Sequence, residues 1–292
     1  MGTLLHSKGI APTRCLEELN LSLPSLIQQI HQEYLDAGAE ILQTNTFGAN
    51  AARLSQQGLE DKCILINQVA VNLARAAAGQ HGLVVGTVGP LGVRTERASV
   101  PPPNAHAIFS EQIEALADAG ADLILLETFR DLSELRAAIA AARAACDLPL
   151  VVTVSPDEKG NLAAGESPET FVPQLTEWGA DVIGCNCGVG PEAMLDTVQR
   201  MAAHTTKPLV AQPSAGLPAV IQGQLVYPYP PEPFARLAIS LVQSGVRWIG
   251  GCCGTTPEHI RAVRGALEGI RPNISARLAF NSQPAFSPGH KR

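Results

Sequence analysis

The chain has 292 residues, 46% of them hydrophobic, with a formal net charge of −6 at pH 7 and a mean hydropathy of +0.10. This apolar content is enough for the core of one large domain or two ordinary ones. The acidic balance argues against nucleic acid or an anionic membrane surface as a partner. No apolar stretch reaches the roughly 18 residues of a membrane span, and the N-terminus has no secretory pattern, so a cytoplasmic protein is expected.

A weak internal repeat organises the chain. Four times, a glycine that closes a helix is followed within a few residues by a short apolar strand, at Gly38, Gly120, Gly179 and Gly245. This pattern is typical of αβ units in a parallel sheet. Apolar runs predict strands over residues 39–47, 83–90, 122–129, 148–155, 181–187, 207–213 and 246–253. Their near-continuous apolar character indicates a sheet that is covered on both faces.

Helical patterns lie between the predicted strands. They cover residues 25–36, 67–78, 107–119, 132–145, 191–203, 233–244 and 257–267. The natural closure of such a chain is an α/β fold, the (β/α)8 TIM barrel of ~250 residues. Its first strand would be truncated at the N-terminus, because the opening MGTLLHSKGI is typical of the loop after a strand. An open doubly wound sheet is the alternative, but no Gly-x-Gly-x-x-Gly motif follows any predicted strand.

The expected organisation is one barrel over residues 1–270, followed by a tail or linker over residues 271–292. The last segment loses its periodicity and is rich in proline. A long proline-rich loop is predicted over residues 89–106, at the face where barrels build their active sites.

The stretch GVRWIGGCCGTTPEHI, residues 245–260, places two adjacent thiols where a strand gives way to a helix. The chain has seven cysteines, and an odd, scattered set favours metal or catalytic thiols over a disulfide framework. A disulfide between Cys252 and Cys253 is disfavoured because adjacent Cα atoms lie only ~3.8 Å apart. Two buried structural thiols are the alternative to a metal site, although the three glycines around the pair would add nothing to a packed core.

The carboxyl ends of all strands in a parallel barrel meet at one face, so we compared the residues predicted there. They include Thr44, Asn45, Thr46, Glu127, Ser155, Cys185, Asn186, Cys187, Ser214, Cys252 and Cys253. Lysines and histidines avoid these ends, which disfavours a Schiff-base aldolase and a histidine-rich metal hydrolase. Thiolates select zinc over magnesium or calcium, and three cysteines with one open position are typical of a catalytic zinc site.

Two of these positions need a closer interpretation. Of Cys185 and Cys187, only Cys187 adjoins the glycine-rich turn at residues 188–191, so Cys185 is expected to pack below the site. Glu127 ends the apolar strand LILLE, where a carboxylate is costly unless it binds a cation or a row of donors. It is expected either to receive a substrate ammonium group or to bond backbone amides.

The motifs GCNCGVGP, GGCCGTTPEHI, ILQTNTFGAN and LLETF together resemble the homocysteine S-methyltransferase family, from Met1 to about Gly269. The resemblance implies zinc-dependent transfer of a methyl group to the thiol of L-homocysteine, giving methionine. It implies that the catalytic zinc ligands are Cys187, Cys252 and Cys253. It also implies a substrate-binding set of Glu127, Asn45, Thr46, Gly2 and Thr3, with Glu127 on the amino group of homocysteine.

The sequence departs from the family pattern in two places. Relatives usually have Asp-Gly ahead of Met-Gly-Thr, and many have Pro-Asn-Ala-Gly where this chain has PSAG at residues 213–216. A zinc-binding barrel without turnover, a pseudoenzyme or scaffold, is therefore the alternative function, and an iron–sulfur cluster is a third hypothesis. The methyl donor is expected to be a small molecule, such as S-methylmethionine or betaine, or to be carried by a partner protein or domain.

Overall fold

The strands of the fold define one large sheet and one small hairpin. The computed structural model describes residues 1–79, 82–92, 102–221 and 224–270. Within these ranges the strands are β1 (Ile41–Gln43), β2 (Leu83–Val88), β3 (Leu123–Phe129), β4 (Leu150–Val154), β5 (Val182–Asn186), β6 (Leu209–Gln212), β7 (Ala219–Ile221), β8 (Gln224–Val226) and β9 (Val246–Ile249). Seven of them form a parallel sheet in the order β1-β2-β3-β4-β5-β6-β9, and β7 pairs with β8 in an antiparallel hairpin.

Helices connect the parallel strands. In the same ranges they are α1 (Gly2–Ser7), α2 (Leu19–Ser22), α3 (Pro24–Asp36), α4 (Ala51–Leu54), α5 (Cys63–Ala78), α6 (Ala105–Asp118), α7 (Leu132–Ala145), α8 (Pro168–Glu177), α9 (Pro191–Ala202), α10 (Pro231–Gln243) and α11 (Pro257–Ala266). Proline opens α3, α8, α9, α10 and α11, where its fixed φ suits the helix and its missing N–H is not needed. These starts fix where each strand-to-helix loop ends.

The core has two levels because side chains alternate between the two faces of each strand. On the outer face, apolar side chains of the strands pack under the helices in one large cluster. On the inner face, a smaller apolar cluster fills the interior of the curled sheet; its buried members are Val85, Leu123, Leu125, Val151, Val182 and Val210. Polar groups in the interior are thereby confined to the level above this cluster, at the carboxyl ends of the strands.

The sheet curls until its edge strands, β1 and β9, approach one another. Arg264 of α11 donates to Glu40, which directly precedes β1, at 3.1 Å. The backbone N–H of Gly254, after β9, donates to Oγ1 of Thr3 in α1 at 3.2 Å. Among the described residues no backbone hydrogen bonds pair β1 with β9. The bond from Gly254 to Thr3 places α1 near the end of β9.

Three local expectations differ from the structure. The opening residues form α1 rather than a loop, because Leu5 is fully buried in a cluster with Leu19, Ile27 and Ile30. Helix α8 was not predicted; the internal Pro173 disguises its periodicity, although its apolar face is buried. The β7–β8 hairpin was also not predicted, since its apolar side chains point to solvent instead of forming a buried run.

The predicted loop over residues 89–106 overlaps residues 93–101, and the predicted tail covers residues 271–292. Both segments lie outside the described residues. Helix α6 begins at Ala105, two residues before its predicted start.

Candidate metal centre

Three cysteine side chains meet at the carboxyl ends of β5 and β9. The Sγ atoms of Cys187, Cys252 and Cys253 all lie within 4.8 Å of one another. Sγ of Cys187 is 3.6 Å from Sγ of Cys253, although the two residues are 66 positions apart in the sequence. Strand β6 lies between the two segments, so the cluster depends on the correct pairing of three strands.

The backbone of Cys187 adopts a conformation that aims its sulfur at the other two. Its φ is +56°, in the left-handed region that is uncommon for residues other than glycine. The N–H of Cys187 donates to the carbonyl of Gln212 on β6 at 3.1 Å, which fixes this turn to the neighbouring strand. Gly188 follows with φ +69°, and a Cβ there would lie 2.6 Å from the carbonyl oxygen of Pro156. The turn therefore requires glycine beside the cysteine.

The Cys252–Cys253 pair is held by the loop after β6. The N–H of Cys252 donates to the carbonyl of Pro213 at 2.9 Å, and the carbonyl of Cys253 accepts from the N–H of Ala215 at 2.8 Å. The carbonyl of Cys252 also accepts from Oγ1 of Thr255 at 2.7 Å. These bonds extend the strand pairing beyond β9 and hold both cysteine backbones in place.

The glycines around the pair make room for two neighbouring side chains. A Cβ on Gly251 would lie 2.5 Å from Oγ1 of Thr255. Gly254 has φ +78°, and a Cβ there would overlap the ring of Tyr227. Glycine is therefore required on both sides of the pair. This agrees with the sequence argument that the glycines do not serve to pack Cys252 and Cys253 as core residues.

The three sulfurs share charge among themselves. Hydrogen bonds from the thiols of Cys252 and Cys253 hold the pKa of Cys187 far below its usual range. The same bonds raise the pKa of Cys252 and of Cys253, the latter to about 11. Further donors lie close by: Nδ2 of Asn186 is 3.7 Å from Sγ of Cys252, and Oγ of Ser214 is 3.8 Å from Sγ of Cys187. In the absence of a cation the cluster thus favours one negative charge, on the sulfur of Cys187.

This donor set fits a zinc ion. Zn–S bonds near 2.3 Å in a tetrahedron give sulfur–sulfur edges of about 3.8 Å. The 3.6 Å separation of Cys187 and Cys253 matches such an edge, and the 4.8 Å limit on all three sulfurs requires at most a small contraction. Thiolate ligands favour zinc over the harder divalent cations. Cys185, in contrast, is fully buried in the outer apolar cluster.

Glu127 lies on the inner side of β3, beneath the cysteines. Burial raises the pKa of its carboxyl group to about 7, and the negative charge of Cys187 acts in the same direction. A hydrogen bond from the side chain of Gln43 acts in the opposite direction, so Gln43 is a neighbour that sequence reasoning missed. A carboxylate in this position gains stability when a cation approaches it.

Asn186 connects the cysteine cluster to β3 and β4. Its Oδ1 accepts from the N–H of Thr128 at 3.0 Å and from Oγ1 of Thr153 at 2.9 Å. Its Nδ2 donates to Oγ1 of Thr128 at 2.6 Å and faces Cys252. Thr128 has φ +64°, which is strained for a β-branched residue, and these bonds hold it there. The position between Cys185 and Cys187 was the only sequence signal for this role.

Asn45 and Thr46 make their hydrogen bonds within the chain. Nδ2 of Asn45 donates to the carbonyl of Leu16 at 2.7 Å and to Oδ1 of Asn20 at 3.3 Å. Oγ1 of Thr46 donates to the carbonyl of Thr87 at 2.7 Å, and the residue is fully buried. Both side chains stabilise the loop after β1, and their contact with a substrate stays a prediction.

Gly2 and Thr3 open α1, close to the loop after β9. Oγ1 of Thr3 accepts the N–H of Gly254, the residue after the cysteine pair. Gly2 packs against Leu16, since a Cβ there would lie 3.2 Å from Cδ1 of that residue. Thr3 is therefore adjacent to the cysteine cluster, while substrate binding by either residue stays a prediction.

Tyr227, which sequence reasoning missed, covers one side of the cysteine cluster. It follows β8, and its ring packs on Gly254. Partial burial raises the pKa of its phenol, as do the nearby charges of Cys253, Cys187 and Cys252. The hairpin thus contributes an aromatic wall to the site.

None of the helices in the described ranges has the length and apolar content needed to cross a lipid bilayer.

Comparison with known proteins agrees with the fold. The family model described as homocysteine S-methyltransferase matches residues 1–267. The chain is 33% identical to methionine synthase of Mycobacterium tuberculosis in an alignment of 275 residues that covers 88% of this chain and 23% of that protein. It is also 33% identical to methionine synthase of Mycobacterium leprae, covering 87% of this chain and 22% of the relative. The chain thus spans less than a quarter of the length of these two relatives.

A solved structure shares the architecture. The metallated form of the homocysteine methyltransferase MmuM from Escherichia coli superimposes with a TM-score of 0.77 at 27% identity, covering 91% of this chain and 93% of that one. The predicted α/β barrel fold is therefore confirmed, with seven parallel strands in the described residues. On the family match and these similarities, the chain belongs to the homocysteine S-methyltransferase family, a family of methyltransferases.

Proposed function

We propose that the chain transfers a methyl group to the thiol of L-homocysteine, giving methionine, with zinc held by Cys187, Cys252 and Cys253. The single observation that carries this proposal is the convergence of these three sulfurs within 4.8 Å, above a carboxylate that faces the barrel interior. Zinc in such a site would lower the pKa of an incoming thiol and leave its sulfur as a nucleophile for the methyl group.

The chain's own residues supply substrate binding and orientation. Glu127 receives the ammonium group of homocysteine, which compensates the cost of burying its carboxylate. Asn186 donates to Cys252 and Ser214 donates to Cys187, so each stabilises charge on a ligand sulfur. Tyr227 excludes water from one side of the cluster.

The methyl donor comes from outside the chain, as a small molecule or on a partner protein or domain. The relatives named methionine synthase support a separate donor module, because this chain spans only 22–23% of their length. The alignment covers 93% of the solved chain of MmuM, in contrast, which supports a small-molecule donor. Both sources therefore belong in the test.

The decisive experiment removes one ligand and leaves its neighbour. Cys252→Ser should lose bound zinc and methionine formation together, because two thiolates and a hydroxyl hold zinc poorly. Cys185→Ala is the matched control, since Cys185 is two residues from Cys187 but packs in the outer apolar cluster. It should keep both properties. Zinc is measured by mass spectrometry and methionine by chromatography, with S-methylmethionine, betaine and a methylcorrinoid as donors.

Methionine formation by the zinc-free Cys252→Ser protein would contradict the proposal. A zinc-loaded wild type that binds no L-homocysteine in calorimetry would instead support a barrel without turnover. An iron–sulfur cluster would appear as visible absorbance and iron in the purified protein.

A further inference from the structure

The inner polar layer is a set of six side chains at one level of the barrel interior. Each lies two residues beyond an interior position at the level of the small apolar cluster and ends or nearly ends its strand. Its members are Gln43, Thr87, Glu127, Thr153, Asn186 and Gln212. The cysteine cluster lies directly beyond this layer, so a ligand whose sulfur enters the cluster would extend its remaining atoms toward the layer.

Part of the layer is satisfied by its own hydrogen bonds. Thr153 donates to Asn186, and the side chain of Gln43 lies close enough to Glu127 to lower the pKa of its carboxyl group. Among the described residues, however, Oγ1 of Thr87 and Oε1 of Gln212 have no hydrogen-bond partner, and neither atom is accessible to solvent. A buried acceptor without a partner is costly and uncommon, and ligand-binding positions are one place where it occurs.

Gln212 is held between the two segments that carry the cysteines. Its carbonyl accepts the N–H of Cys187 at 3.1 Å. Its side chain lies against Gly250: a Cβ on that glycine would be 3.3 Å from Cγ and 3.4 Å from Nε2 of Gln212. The absence of a side chain at residue 250 therefore leaves room for this carboxamide. Gln212 as a whole residue is 9% exposed.

We propose that Gln212 is a specificity-determining residue, whose Oε1 accepts a hydrogen bond from the ammonium group of the thiol amino acid that enters the cysteine cluster. This inference rests on the proposed function and adds a second acceptor to Glu127. An ammonium group has three N–H donors, and one carboxylate leaves part of them without a partner. A neutral acceptor on another strand of the same interior completes their coordination without adding charge beside the thiolates.

The test uses Gln212→Met, which keeps the length of the side chain but removes the acceptor. Because the wild-type Oε1 has no partner within the chain, the substitution should leave the thermal unfolding of the ligand-free, zinc-loaded protein unchanged or raise its midpoint. Gln199→Met, on the exposed surface of α9, is the matched control for the change of residue type.

Two thiols separate a contact to the ammonium group from a general effect on the site. L-homocysteine carries the ammonium group, and 4-sulfanylbutanoate has the same thiol and carboxylate without it. In titration calorimetry with zinc-loaded protein, Gln212→Met should weaken binding of L-homocysteine by roughly ten- to hundred-fold, the value of a hydrogen bond to a charged group. Binding of 4-sulfanylbutanoate should be the same as in the wild type.

Each outcome decides the inference. If Gln212→Met weakens the binding of L-homocysteine and of 4-sulfanylbutanoate equally, Gln212 affects the shape of the site and the proposed contact is overturned. Unchanged binding of L-homocysteine to the variant would also overturn it. If wild-type protein and Gln212→Met bind L-homocysteine with the same affinity, only this inference fails and the proposed function stands. If zinc-loaded wild type binds neither thiol, the proposed function fails and this inference fails with it.

Discussion

Asn186 forms hydrogen bonds both to Thr128, whose backbone is strained, and to the sulfur of Cys252. Asn186→Ala should lower the free energy of unfolding of the metal-free protein by about 2–4 kcal/mol, because it leaves the N–H of Thr128 and the hydroxyl of Thr153 without partners. Urea unfolding in the presence of a chelator measures this change without a contribution from zinc.

Thr153→Val supplies the control for this prediction. Alone, Thr153→Val should lower the free energy of unfolding by less than Asn186→Ala does, because it removes only one of the bonds made by Asn186. In the Asn186→Ala background its cost should disappear, since the hydroxyl has then lost its acceptor. Additive effects of the two substitutions would show that the network does not act as a unit.

The convergence of the three cysteines could be predicted from the sequence, whereas the residues that support them could not. Paired thiols among glycines, and a cysteine before a glycine-rich turn, are local patterns that indicate chemistry directly. The supporting residues owe their positions to the fold: side chains of distant strands share the barrel interior, as for Gln43 and Gln212, or the hairpin folds over it, as for Tyr227. That information lies in contacts between strands far apart in the chain, so no local pattern contained it.

At the level of elements, the register of β5 against β6 determines where Cys187 lies. Gly184 is paired with Val210, and a Cβ at that glycine would overlap the carbonyl oxygen of Val210. Gly184→Ala should therefore cost about 3 kcal/mol or more in the free energy of unfolding and reduce bound zinc, because β5 must shift.

Gly265→Ala in α11 is the opposite case and serves as the control. A Cβ there meets nothing within 4 Å, and alanine is the better helix former. Its free energy of unfolding should be unchanged or higher by up to about 1 kcal/mol. Equal destabilisation by both substitutions, measured by urea unfolding, would mean that the β5–β6 contact is not the cause.

The elements that could be predicted are those with one buried face. Strands β2 to β6 and helix α7 are continuous apolar or periodic runs, and α7 matches its predicted limits at Leu132 and Ala145. The β7–β8 hairpin exposes 73% of Val220 and 61% of Leu225, so its strands lack the burial pattern on which prediction depends. Helix α1 owes its existence to the burial of Leu5 against distant residues.

At the scale of the whole molecule, one buried histidine should make stability depend on pH. Burial lowers the pKa of His31 from 6.5 to about 4, and its Nε2 has no hydrogen-bond partner among the described residues. Between pH 6.5 and 4, His31 is protonated in the unfolded chain but stays largely neutral in the folded protein. The free energy of unfolding therefore falls as the pH drops from 6.5 toward 4. Between pH 7.5 and pH 5 this contribution amounts to about 2 kcal/mol.

Comparison with a variant isolates this contribution. Glu127, with its pKa raised to about 7, acts in the opposite direction, since the folded protein binds the additional proton in that case. The difference between wild type and His31→Leu cancels this effect. Urea unfolding at the two pH values should show the wild type losing about 2 kcal/mol more than His31→Leu. The exposed His106→Leu should follow the wild type, and identical slopes for all three proteins would rule out His31 as the cause.

The separation of the cysteines along the chain has a mechanical consequence. Cys187 and Cys253 are 66 residues apart, and everything from α9 to β9 lies between them. An ion bound by the cysteines at both ends of this segment would close it into a loop, restricting the unfolded chain much as a covalent cross-link does. This 66-residue segment would then open only by releasing the ion, so metal occupancy and the integrity of the segment would be gained or lost together.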